Sequence, residues 1–173
     1  MFQIRYKILR DMLDISDDLK GEDGYFQLIV DGESYGMYID NEEVIDFSVS
    51  IHWKFSYLLE ATILLKEHNV VYLSDIETPR SWIEIKKYDN EKLLISEVNA
   101  DKPIGSCAVE IGPLANVTYP YWKDKVISLK DFKQESLGKS KKYVDDLKRL
   151  NDGSHPNILQ LRSLIEQVEN KYS

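Results

Sequence analysis

Gly24-Tyr25-Phe26-Gln27-Leu28-Ile29-Val30-Asp31-Gly32-Glu33-Ser34-Tyr35-Gly36-Met37-Tyr38 is the stretch on which the reading of the fold turns. Two strand-like runs flank Asp31-Gly32, the dipeptide favoured by a two-residue hairpin turn because both central residues must take positive φ. This register sets Val30 opposite Glu33, Leu28 opposite Tyr35 and Phe26 opposite Met37 on one face. Tyr25 then meets Tyr38, and Gln27 meets Gly36, on the other. The first face is expected in the core, and the second is free to stay open.

Upstream, Phe2 to Leu9 alternates like a first strand, and the acidic connection Asp14 to Gly24 leads into the hairpin. Downstream, Ile51 to Glu67 follows helical spacing, with Ile51, Phe55, Leu58, Leu59 and Leu65 on one side and His52, Ser56, Glu60 and Glu67 forming a polar stripe opposite. Ser50 is placed to cap it. Val70 to Leu73 reads as a short strand, and Trp82 to Tyr88 with Lys92 to Val98 as a second hairpin around Asp89-Asn90. Cys107 to Ile111 is a last strand, and Leu114 to Lys125 a loop with anchoring aromatics. After Ser128 the period becomes 3.6: Leu129, Phe132, Leu137, Tyr143, Val144, Leu147 and Leu150 trace one face, with Gly138 expected to weaken or kink the helix. Asn151-Asp152-Gly153 ends it, and Pro156 starts a second helix carrying Ile158, Leu161, Leu164, Ile165 and Val168 inward. The order predicts an α+β fold: a largely antiparallel sheet with one helix between strands, and a C-terminal antiparallel helix pair. One domain is expected over residues 1–173, strand-rich to residue 125 and a helical hairpin from 126 to 173.

The 173 residues are 43% hydrophobic and 30% charged, which places the chain in the globular class. One cysteine, Cys107, excludes an internal disulfide and a Cys-rich zinc module, and fits a reducing compartment. No apolar run approaches the roughly 20 residues of a membrane span, and the start lacks the pattern of a secretory signal. A cytoplasmic protein is expected.

The formal charge of −8 is unevenly spread. Asp11 to Asp46 holds twelve acids against the single base Lys20. Such a stretch repels phosphate backbones and steers basic partners, an effect that salt weakens. Residues that could carry chemistry are sparse. Asp75 followed by Glu84-Ile85-Lys86 has the residue types of a metal-dependent nuclease, two carboxylates for a divalent ion and a lysine to orient water. Any exposed strand face produces Glu-x-Lys, so an exposed hairpin face is the favoured reading. His52, Ser56 and Glu60 contain the side-chain types of a hydrolytic triad but lie mid-helix, where no oxyanion hole forms, and read as a solvated stripe. His68 and His155 lack a second ligand at metal spacing. Asp14, Asp17, Asp18, Glu22 and Asp23 do not follow the calcium-loop pattern, and no glycine-rich phosphate cradle is present.

The motif from Gly24 to Gly36, followed by acids and then by Trp53 and Leu58-Leu59-Glu60-Ala61, resembles small bacterial immunity proteins of polymorphic toxin systems. The resemblance covers residues 24–65. It implies stoichiometric inhibition of a cognate toxin, with neither catalysis nor cofactor. Many targets of such inhibitors are basic nucleases, so Glu33, Asp40, Glu42, Glu43 and Asp46 are the expected steering and pairing carboxylates. Tyr38 is the expected aromatic anchor. Trp53 is expected in the core. The partner is expected to be a basic protein, with neither nucleic acid nor membrane bound directly.

Overall fold

The computed structural model describes residues 1–10, 18–75 and 78–172. Strand β1 (Phe2–Ile8) pairs antiparallel with β2 (Asp23–Val30), and β2 turns through Asp31-Gly32 into β3 (Glu33–Met37). Asp31 and Gly32 have φ of 48° and 89°, the left-handed pair that the hairpin requires. The register matches Val30 to Glu33, Leu28 to Tyr35 and Phe26 to Met37. A two-residue strand β4 (Val49–Ser50) pairs with the start of β2 and completes a four-stranded sheet. Gly36, at φ 87°, leaves no room for a side chain: a Cβ there would lie 2.3 Å from the Phe26 carbonyl oxygen.

The other strands, β5 (Val70–Ser74), β6 (Ser81–Lys87), β7 (Lys92–Asn99), β8 (Val109–Ile111) and β9 (Lys125–Ser128), form a five-stranded sheet in the order β8-β5-β6-β7-β9. Among the described residues, every strand pairing is antiparallel. The expected single sheet is therefore two sheets, and β9 begins at Lys125, the last residue of the segment expected to be loop, and runs on to Ser128. Strand β6 is buried from Ser81 to Ile85 without alternation, because both faces of this sheet are covered. Ile83 and Ile85 face the main core, while Trp82 packs with Tyr72, Val98 and Ala100 beneath Leu114, Val117 and Tyr119 of the loop after β8.

Helix α1 (Ile51–Leu64) is capped by Ser50, whose hydroxyl accepts the Trp53 amide at 3.4 Å. It is buried almost all round, packing on β2, β5, α2 (Leu129–Leu150) and α3 (Pro156–Lys171). The polar stripe expected in solvent is the correction this brings. His52 and Ser56 are enclosed, Ser56 donating to the His52 carbonyl at 2.8 Å, while Glu60 and Glu67, the latter beyond the end of the helix, are exposed. Trp53, expected in the core, is 38% exposed and stacks on Tyr57. Helices α2 and α3 pack on each other, and α2 runs unbroken past Gly138. Among the described residues, no helix is long and apolar enough to cross a membrane.

Candidate functional site

After β3 the chain folds back across the outer face of the four-stranded sheet. Alternation along β1 puts Arg5 and Lys7 on that face, in register with Gln27 and Tyr25. The Arg5 guanidinium lies 3.9 Å from the centre of the Tyr38 ring and bonds both carboxylate oxygens of Asp40, at 3.2 and 3.1 Å. The Lys7 ammonium reaches the carbonyls of Asp40 and Glu42 and lies 3.8 Å from the Glu43 carboxylate, which also accepts the Arg10 amide at 2.8 Å. Tyr25, fully buried, receives the Val44 amide on its hydroxyl at 2.6 Å. The face left open in the sequence reading is therefore closed by the acidic segment itself.

This arrangement divides the six expected partner-binding residues. Glu33 points towards the five-stranded sheet and pairs with Lys125 of β9 at 2.9 Å. Tyr38, Asp40 and Glu43 are held by bases of β1 and by the Arg10 amide. Glu42 and Asp46 remain exposed, with no ion-pair partner among the described residues. Beside them stand two apolar side chains that charge counting overlooked, Ile45 at 43% and Phe47 at 48% exposure, in a single 3₁₀ turn (Ile45–Phe47). Of the remaining acids, Asp18 bonds His155 at 2.9 Å and Glu22 accepts the Ser50 hydroxyl at 3.2 Å. Asp11, Asp14 and Asp17 lie outside the described residues.

The nuclease constellation does not assemble. Glu84 is paired in register with Tyr72 on the outer face of the five-stranded sheet, whereas Asp75 bonds Tyr35 of β3 and Lys54 of α1 on the core side. Nor is Glu84 on an exposed face: it is 1% exposed and takes the Tyr72 hydroxyl at 2.7 Å, the Tyr119 hydroxyl at 3.1 Å and the Lys86 ammonium at 2.8 Å. Three donors satisfy the buried carboxylate, which makes it a structural anchor for the covering loop. Burial and the neighbouring Glu84 push the Tyr72 phenol above its usual range.

Sequence reading missed a cleft between the two sheets. Phe26 and Leu28 of β2, Leu58 of α1, Leu73 of β5 and Ile83 of β6 form its apolar walls. At one end the Lys54 ammonium stands 3.2 Å from Asp75, and Tyr35 donates to the same carboxylate at 2.8 Å. Burial, then the charge of Asp75, push the Tyr35 phenol well above its usual range. No local motif marks this cleft, because its lining comes from six elements. No family model, curated protein or solved structure matches the chain.

Proposed function

We propose that this is a non-enzymatic binding protein of the immunity type, which neutralises a basic protein toxin through the surface of the segment from Tyr38 to Phe47. The observation that carries this reading is the pairing of exposed carboxylates, Glu42 and Asp46, with exposed apolar side chains, Ile45 and Phe47, on one short segment. Carboxylates at such a rim steer encounter and set register, while a desolvated apolar side chain supplies most of the affinity. Arg5 and Lys7 neutralise part of the acidic stretch, so the steering charge is smaller than the count of acids along the chain. Their pairing also holds the segment in one shape before a partner arrives, which lowers the ordering cost of binding. The cognate partner in this reading presents lysines or arginines around an apolar depression.

The test is association with the purified C-terminal domain of the protein encoded by the neighbouring gene, followed at low and high salt. Reversing charge in Glu42→Lys with Asp46→Lys should slow association by about tenfold at low salt, with little change in dissociation. Phe47→Ala should instead speed dissociation, at a cost of about 2 kcal/mol in affinity. Association that ignores both salt and the charge reversal would remove the basic-partner reading.

A further inference from the structure

The cleft between the sheets has the make-up of a ligand site distinct from the exposed acidic segment. It holds a cavity of about 70 Å³. An apolar cavity of roughly 150 Å³ accommodates benzene, so this one takes about three carbon atoms, the isopropyl end of a branched aliphatic group in place of an aromatic ring. Its mouth is formed by part-exposed Val49, Lys54 and Tyr57 and by Gly36. Gly36 keeps the lip bare, since the Phe26 carbonyl forbids any side chain there. The polar end decides the charge of the occupant. Lys54 and Asp75, whose side chains are 16% and 15% exposed, already form an ion pair in a poorly solvated place. A second cation would face the ammonium and a second anion the carboxylate, in surroundings that screen weakly. An ammonium carries three N–H donors, of which the ion pair uses one, so Lys54 can also serve a neutral acceptor.

We propose that this cleft binds a small uncharged ligand: a short branched aliphatic group bearing one neutral hydrogen-bonding head, as in a C4–C5 amide or alcohol. The aliphatic part lies among Leu28, Leu58, Leu73 and Ile83, and the head accepts from Lys54.

Methyl-labelled protein titrated with isovaleramide tests the assignment by NMR. The methyl signals of Leu28, Leu58, Leu73 and Ile83 should shift together and saturate in the millimolar range, fitting for so few atoms. Isovalerate and isopentylamine, equal in shape but charged, should bind at least about tenfold more weakly. Val49→Phe, which fills the mouth, should abolish the shifts. If that variant fails to fold, Lys54→Met provides the second arm: with the N–H donor gone, isovaleramide should bind at least about tenfold more weakly. Absence of methyl shifts, equal binding of the charged analogues, or an unchanged affinity in Lys54→Met would each overturn the assignment. Binding of acetyl-Gly-Leu-Gly-amide with isovaleramide refused would overturn it as well, because the occupant would then be a peptide. Glu42→Lys should leave isovaleramide binding unchanged, so the outcome is independent of the toxin-binding reading.

Discussion

Tyr25 shows how one residue type changes meaning with its neighbours. Along the chain it is an alternate-face residue of a hairpin, expected opposite Tyr38. In the folded molecule its hydroxyl accepts the Val44 amide and lies 3.3 Å from the Glu42 carbonyl, which fastens the acidic segment to the sheet. Tyr25→Phe should cost about 1 kcal/mol by leaving that amide without its acceptor, and should speed hydrogen exchange at Val44. Unchanged exchange would mean that Arg5, Lys7 and the Arg10 amide hold the segment without it. His52 is the second instance. Helical spacing placed it on a solvated stripe, yet α3 covers it, and among the described residues no group stands in good hydrogen-bonding geometry to either ring nitrogen, the nearby Asn157 backbone and Gln160 included. Burial holds its pKa below the ordinary 6.5, with His155 acting in the same direction and the Asn157 backbone and Gln160 opposing it. The unfolded chain therefore binds the proton more readily than the folded one. The His52 contribution to stability should be complete above pH 6.5 and decline as pH falls through the lowered folded value. Urea midpoints at pH 7.5 and 5.5 should differ more in the wild type than in His52→Phe.

At the level of elements, the first hairpin was legible because its turn chemistry is local. Asp31-Gly32 sets the register whatever the sheet packs against. Helices α2 and α3 were legible for a similar reason, since a 3.6 period with a cap at Ser128 and a proline at the first helical position, Pro156, needs no tertiary information. Gly138 makes no kink because helix propensity is a weak influence beside a packed face. It is exposed, and a Cβ there meets nothing within 4 Å. Gly138→Ala should accordingly stabilise the protein by about 0.5–1 kcal/mol, read as a higher denaturation midpoint with an unchanged m-value. Gly24 behaves in the opposite way. Its added Cβ would lie 2.0 Å from the Lys7 carbonyl oxygen and 2.7 Å from Ile51, so Gly24→Ala must separate β1 from β2. A loss on the order of 2–3 kcal/mol is expected, and a neutral result would show that β1 and β2 have room to move apart. Strand β9 escaped notice because four residues carry too little pattern, and its pairing with β7 comes from contact across the sheet.

Over the whole molecule, one apolar cluster runs from Phe2 of β1 to Val168 of α3. Helix α3 is integral to it. Removing residues 156–172 would expose His52, Ser56 and the surface that packs Ile158, Leu161, Ile165 and Val168. Four large apolar side chains at about 1.5–3 kcal/mol each approach the full stability of an ordinary domain. The truncated chain should lose its cooperative thermal transition, followed by circular dichroism, and a sharp transition near the wild-type temperature would show that α3 is an appendage.

The α+β class, the antiparallel hairpins, the capped helix pair and the uneven charge were determined by the sequence itself, because each depends on residues within a few positions of one another. Tertiary structure alone decided which acids reach solvent and which are matched by bases, since Arg5 and Lys125 lie 35 and 92 residues from the carboxylates they meet. It also decided that Glu84 and Asp75 lie on opposite faces, and that six elements enclose a cleft. Burial and charge pairing are properties of distance in space, and separation along a chain does not encode them.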